Sequence, residues 1–167
     1  GATCNGVRVW SVYCPNGREP SHDHYRYKLE WFTALNVTAK SEIADHPDLP
    51  FAVIGDYNIA PTDEDVWDIE KFVDSTHVTA AERAALTDLE ALGLIETMPR
   101  SLKGEPYTFW DYRNGSFHRG WGMRIDLVYG NQVFTSLVQD SYVDRDARKG
   151  KGASDHAPVV VDLDLSV

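Results

Sequence analysis

Cysteine is almost missing from this 167-residue chain, which has only Cys4 and Cys14. The two flank what reads as one strand, and a bridge between them would need a hairpin that the pattern does not offer. Two free thiols in a reducing compartment are expected, and neither isolated cysteine makes a zinc site. No apolar run approaches the roughly 18 to 20 residues that span a bilayer. The opening Gly1-Ala-Thr-Cys-Asn5 lacks the basic start and apolar middle of a signal peptide. The expectation is a cytoplasmic protein with no membrane partner. Positive charge is scarce as well: 16 Lys and Arg stand against 26 Asp and Glu, a net charge of −10. That excludes coating nucleic acid by bulk attraction, though not gripping it through a local basic track. Repeats and low-complexity tracts are also missing, and a 43% hydrophobic composition suits one globular domain over residues 1–167.

What is present alternates strands and helices. Gly6 to Tyr13 has period-two polarity and reads as a strand stopped by Pro15-Asn16-Gly17. Tyr25 to Ala44 carries Tyr27, Trp31, Ala34, Leu35, Val37 and Ile43 at helical spacing. Phe51 to Ile54 reads as a buried strand, and a short helix near Asp65 to Phe72 would be capped by Asp63 or Asp65. Thr79-Ala-Ala-Glu82 has capping-box spacing, Leu86, Leu89 and Leu92 keep one face apolar, and Gly93 marks the end of that helix. Strands are then expected over Arg124 to Tyr129, Phe134 to Val143 and Pro158 to Leu165. The pattern implies an α/β fold in which a sheet covered by helices forms one layer of a larger sandwich.

Two short motifs carry chemistry. Phe51-Ala-Val-Ile54 stops at Gly55-Asp56-Tyr57-Asn58, which places a carboxylate at the carboxyl edge of a sheet, with an amide returning beside it. The bland alternative is an Asx-type turn in which Asp56 and Asn58 only bond local amides. Ser154-Asp155-His156 stands at the mouth of the last strand, and its histidine is either structural or a phosphate ligand. Asp126 lies within another apolar strand and needs a partner; an Asp126–His156 pair would satisfy both and favour the protonated imidazole. Two basic groups, Arg145, Arg148, Lys149 and Lys151, and Arg113, Arg119 and Arg124, are either solvated or a track for a phosphate backbone.

Five segments together resemble the exonuclease III family of bacterial apurinic/apyrimidinic endonucleases: Val12-Tyr-Cys-Pro-Asn-Gly17, Gly55-Asp-Tyr-Asn-Ile-Ala-Pro61, Thr108-Phe-Trp-Asp-Tyr-Arg113, Gly122-Met-Arg-Ile-Asp126 and Ala153-Ser-Asp-His-Ala-Pro158. Gly-Asp-x-Asn and Ser-Asp-His mark only the wider endonuclease/exonuclease/phosphatase superfamily. The tyrosine and Phe-Trp-Asp-Tyr-Arg segments narrow the likeness to the DNA-repair branch. The resemblance implies a four-layer α/β/β/α, DNase I-like sandwich and hydrolysis of DNA phosphodiester bonds with Mg²⁺ or Mn²⁺, on duplex DNA with abasic sites or 3′ ends. It implies that Asp56 activates water or protonates the leaving group, and that Asn58 orients that water. Asp126 would hold His156 on a non-bridging oxygen, while Tyr13 and Asn16 fix the phosphate. Asp155, with Asp56 and Asn58, falls on the metal side. Phe109 and Met123 would line a pocket for a base-less sugar, with Trp110 at least partly structural and Arg113 on the DNA backbone.

The family begins with two strands that supply a metal-site asparagine and glutamate, and neither has a counterpart here. Glu30, Glu42, Glu82 and Glu90 fall on helical segments and read as solvated faces. The expectation is a domain without its N-terminal portion. Two other readings follow: a non-catalytic piece that keeps a DNA-facing surface, or a phosphatase or lipid phosphodiesterase of the same superfamily. An incomplete sandwich exposes apolar surface, so light scattering should find dimers or larger species; a monodisperse monomer would count against it.

Overall fold

The computed structural model describes residues 1–166. Two sheets form its frame. The larger has the order β1 (Ala2–Cys4), β2 (Val7–Tyr13), β3 (Phe51–Asp56), β6 (Asp126–Gly130), β4 (Ile95–Glu96). The smaller runs β5 (Arg100–Ser101), β7 (Val138–Val143), β8 (Val159–Leu163). β2 and β3 are parallel because helix α1 (Asp23–Asp45) crosses between them, and β6 returns antiparallel against β3. One face of the large sheet packs on α1 and α2 (Ala80–Glu90) through Val53, Tyr57, Tyr129, Phe32 and Leu89. Its other face, Val7, Ala52 and Val128, meets Val159, Val161 and Leu163 of the small sheet. β3 is therefore covered on both sides, which accounts for its unbroken apolar run.

Several elements differ from the expectation. Asn5-Gly6 makes a hairpin joining β1 to β2, with both residues at positive φ, yet the thiols remain free, Cys14 buried and Cys4 exposed. The segment 134–143 is not one strand. Beyond the one-turn helix α3 (Ser116–Arg119), Asn131 caps a short helix, α4 (Gln132–Leu137), by accepting from Phe134 N, and β7 starts only after it. Asp65 to Phe72 is two 3₁₀ turns, Asp63–Asp65 and Ile69–Phe72. The first is capped by Thr62 with Asp65 reciprocating, the second by Asp68. The α2 helix starts at the Thr79–Glu82 capping box as expected.

The buried stripe of α1 is Lys28, Phe32, Leu35 and Ala39, whereas Tyr27 and Val37 face solvent. A lysine heads the stripe because its partner is Glu82. Lys28 Nζ lies 2.6 Å from Glu82 Oε1, and both side chains are 0% exposed. Glu82 is thus not a solvated face. Burial opposes its charge, but Lys28 together with hydrogen bonds from Thr76 and the His77 amide holds its pKa below the ordinary value. Arg124, offered as part of a basic track, is likewise buried, forked onto Asp65 at 2.6 and 3.0 Å and paired with Glu96.

Removing one partner of a buried pair leaves an uncompensated charge, which costs about 3–5 kcal/mol. Lys28→Met should therefore lower stability by about that much in urea unfolding, and Glu82→Gln by less, because its side-chain oxygen can still cap α2.

Candidate phosphodiesterase site

The carboxyl end of β3 is drawn tight against β2. Gly55 has φ +138°, and a Cβ there would stand 2.0 Å from Val12 O, so only glycine allows the approach. The register then sets Tyr13, Asp56 and Asp126 side by side across three adjacent strands. After Gly55-Asp56 the chain turns through Asn58, at φ +50°. Asp56 Oδ1 accepts from the Asn58 amide at 2.8 Å, and Asp56 Oδ2 accepts from Asn58 Nδ2 at 3.0 Å. The local Asx turn is therefore present, and it orients the carboxylate. Asn58 also donates to Cys14 O at 2.9 Å and accepts from Asn16 Nδ2 at 3.2 Å, so both ends of its amide are engaged.

His156 enters from the loop before β8. Its Nδ1 donates to Asp126 Oδ2 at 2.8 Å, which leaves Nε2 free. The loop is held by its neighbour: Trp110 N donates to Asp155 O at 2.9 Å, and Ala157 N to Thr108 O at 2.7 Å. Thr108 Oγ1 accepts the amides of Ile125 and Asp126, each at 3.1 Å, so one threonine ties the acid's strand to the histidine's loop. Phe109 packs 5.0 Å from the His156 ring and pairs with Met123 through backbone bonds of 2.9 and 3.0 Å.

These groups surround a cleft of about 200 Å³ lined by Tyr13, Asn16, Asp56, Asn58, Phe109, Met123, Asp155 and His156, together with Ile125 and His77. Asp126 stands directly behind His156. Trp110 does not line the cleft. It is 1% exposed and packs in the core with Tyr107, Val143 and Ala157. Arg113 is on the surface, clamped to Asp111 by its guanidinium, and borders a neighbouring pocket instead. The basic loop is smaller than its sequence suggests: Arg148 is buried over Tyr112 and Phe117, Arg145 turns inward onto Phe117, and Lys149 pairs with Asp146 at 2.6 Å.

His77 escaped the sequence reading, since no motif surrounds it and its φ of +83° is unusual for a non-glycine residue. Its Nδ1 lies 2.6 Å from Asn58 O and must donate, which turns the Nε2 lone pair toward Asn16 Nδ2 at 3.5 Å. Burial, helped by the charge of Lys28, lowers its pKa to about 4 and keeps the ring neutral. Asp56 moves the other way: burial, then the facing Asp126, raise it to about 6. For His156, burial opposes the charge, but the hydrogen bond and charge of Asp126 outweigh it and raise the pKa. Among the described residues no three His, Cys, Asp or Glu side chains converge as a metal-holding group. Asp56, Asn58 and Asp155 share the cleft without forming a complete ion site.

Residues 2–156 match the endonuclease/exonuclease/phosphatase family, and the chain belongs to it. Within that family it is similar to a solved structure of the 3′ phosphatase NExo from Neisseria bound to product DNA hairpin, with a TM-score of 0.91 and 36% identity over 98% of this chain and 63% of that one. It is similar also to an AP endonuclease from Archaeoglobus fulgidus, with a TM-score of 0.88 and 28% identity over 98% of this chain and 64% of that one. An exodeoxyribonuclease of Streptococcus pneumoniae is 32% identical over 123 residues, 70% of this chain but 42% of its own length. The two packed sheets with α1 and α2 outside are the DNase I-like sandwich of these neighbours. The chain spans less than two thirds of each relative.

The raised His156 pKa has a definite sign. Pairing with Asp126 stabilises the fold fully below the unfolded value of 6.5, and the effect fades as pH rises through the folded value. Asp126→Asn should therefore cost more stability at pH 6 than at pH 9, by on the order of 1 kcal/mol. In NMR titrations His156 should hold its proton above the ordinary range, and His77 should stay neutral down to about pH 4.

Proposed function

We propose that the whole protein is a DNA-repair phosphodiesterase, an exodeoxyribonuclease and abasic-site endonuclease acting in the cytoplasm on duplex DNA. The observation that carries this reading is the convergence of Tyr13, Asp56 and the Asp126–His156 pair on one cleft, walled by Phe109 and Met123. Hydrolysis of a phosphodiester needs a base for the attacking water and positive charge on the non-bridging oxygens. Asp56, with a pKa near 6, is mostly ionised at neutral pH yet basic enough to take a proton from water. Asn58 holds that carboxylate in orientation and leaves the water to Asp56. His156, protonated through Asp126, donates from Nε2 to a phosphate oxygen, while Tyr13 and Asn16 bind the same group. Phe109 and Met123 take the sugar, and a sugar without a base costs least to extrude into so small a space.

Nucleases of this family depend on a divalent metal. We assign Mg²⁺ or Mn²⁺ to the Asp155 side of the cleft, where the carboxylate and amide oxygens of Asp155, Asp56 and Asn58 suit a hard divalent ion that keeps part of its water shell. Neighbouring proteins described as a 3′ phosphatase bound to DNA hairpin and as an AP endonuclease support DNA over other phosphodiesters.

The test is incision of a duplex oligonucleotide with one abasic site, and release of nucleotides from its 3′ end, in Mg²⁺, by a form of the protein extended to the length of its relatives. Asp56→Asn and His156→Ala should each reduce the rate at least about 100-fold, and the 167-residue chain should bind the duplex in a salt-sensitive way without cutting it. Turnover confined to small phosphate esters would sink the DNA reading.

A further inference from the structure

Next to the cleft lies a second pocket, of about 460 Å³, walled by Trp67, Phe72 and Trp121 and sharing Phe109 and Met123 with the cleft. We infer that this pocket is a nucleobase subsite, which takes the base of a nucleotide adjoining the phosphate held in the cleft. The inference rests on the reading of the cleft as a nucleic-acid phosphodiester site.

Trp67 and Trp121 stack at 4.8 Å with an interplanar angle of 19°. They come from separate loops fixed to one another by the backbone, since Trp67 N donates to Gly122 O at 3.1 Å and Val66 bridges Met123, while Trp121 N donates within its own segment to Ser116 O at 2.9 Å. Both indoles remain partly exposed, in contrast to the fully buried Trp110. Solvent-facing aromatic surface held in place next to a catalytic cleft is a platform for a flat ligand. Beside the pocket, Arg119 sits 4.4 Å over the Trp121 ring and forms no ion pair among the described residues, while Arg113 in the lining is paired with Asp111.

The shared Phe109–Met123 wall decides the occupant. A group in the pocket is one side chain away from a phosphate in the cleft, which is the separation a nucleotide builds between its own base and its phosphates. Stacking on indole and phenyl accepts any base, because each base has a π face. The pocket therefore adds affinity for base-bearing strand beside the reacting phosphate without reading its sequence.

The test compares two 5′-labelled single-stranded oligomers of six units, oligodeoxythymidylate and a base-less oligomer of tetrahydrofuran spacers with the same charge. Each is titrated against the chain by fluorescence anisotropy without divalent metal. The base-bearing oligomer should bind about tenfold tighter, in line with stacking on one aromatic platform. Trp67→Ala and Trp121→Ala should bring the ratio to about one with base-less binding unchanged, and Trp121→Phe should restore most of it. Equal affinity of the two oligomers for the unmodified chain overturns the subsite and spares the phosphate reading; binding of neither overturns both. Because an indole-to-alanine change can disturb folding, a second measurement uses the unmodified chain: photocrosslinking to a 5-iodouracil oligomer should mark Trp67, Phe72 or Trp121. Adducts confined to other segments would refute the subsite.

Discussion

The arrangement of the cleft depends on a charge pair that never meets solvent. Lys28 comes from α1 and Glu82 from α2, and between them they bind backbone and side chains of Asn16, Asn58 and the segment 76–79 beneath the site. Lys28 Nζ donates to Asn58 O at 2.6 Å and Asn16 O at 3.3 Å, while Glu82 accepts from Thr76, from the His77 amide and from Thr79. Two charges in a low-dielectric interior are tolerable only when their remaining hydrogen-bonding capacity is filled, and here it is filled by the backbone that shapes the cleft. The pair therefore acts as a positional standard. Asn16, Asn58 and His77 are placed relative to it, and Asp56 is placed relative to Asn58.

Above that standard the electrostatics run against the protein's overall sign. A chain of net charge −10 is poorly suited to approach a polyanion. The site sets two carboxylates in facing register, Asp56 and Asp126, and burial followed by that repulsion raises the Asp56 pKa to about 6. Asp126 in turn is hydrogen-bonded to His156 and favours the protonated imidazole at that corner of the cleft. The basic loop contributes less than its composition suggests, because Arg145 and Arg148 spend their guanidinium faces on Phe117 and Tyr112. Positive charge and oriented donors at the cleft are consequently local, with no broad basic surface among the described residues.

Much of this was legible in the sequence, for identifiable reasons. The β3 run and its Gly-Asp end, the Thr79–Glu82 box and the need of Asp126 for a partner are short-range or charge-balance signals, and each has its counterpart in the structure. Signals that depend on distant contacts were not legible. Glu82 reads as a solvated face and Arg124 as part of a solvated group or a basic track, because a charge reads as exposed until its partner is known. Asn131 capping α4 was hidden inside an apolar stretch with strand character. His77 had no motif, since its role comes from a left-handed turn and a hydrogen bond to Asn58 O, neither of which leaves a pattern in residue types.

The Phe109–Met123 bridge also sets how this surface can change. Its two side chains are the common partition of two compartments, and its backbone bonds stitch the segment preceding Asp126 to the segment that braces His156. Enlarging either residue would take volume from both compartments at once, and shrinking it would give volume to both. An engineer or an evolving lineage cannot tune the smaller chamber at this partition alone. Independent adjustment has to come from the outer walls, Trp67, Phe72 and Trp121 on one side and Tyr13 and Asn16 on the other, and those positions are where variation in preference has room to accumulate.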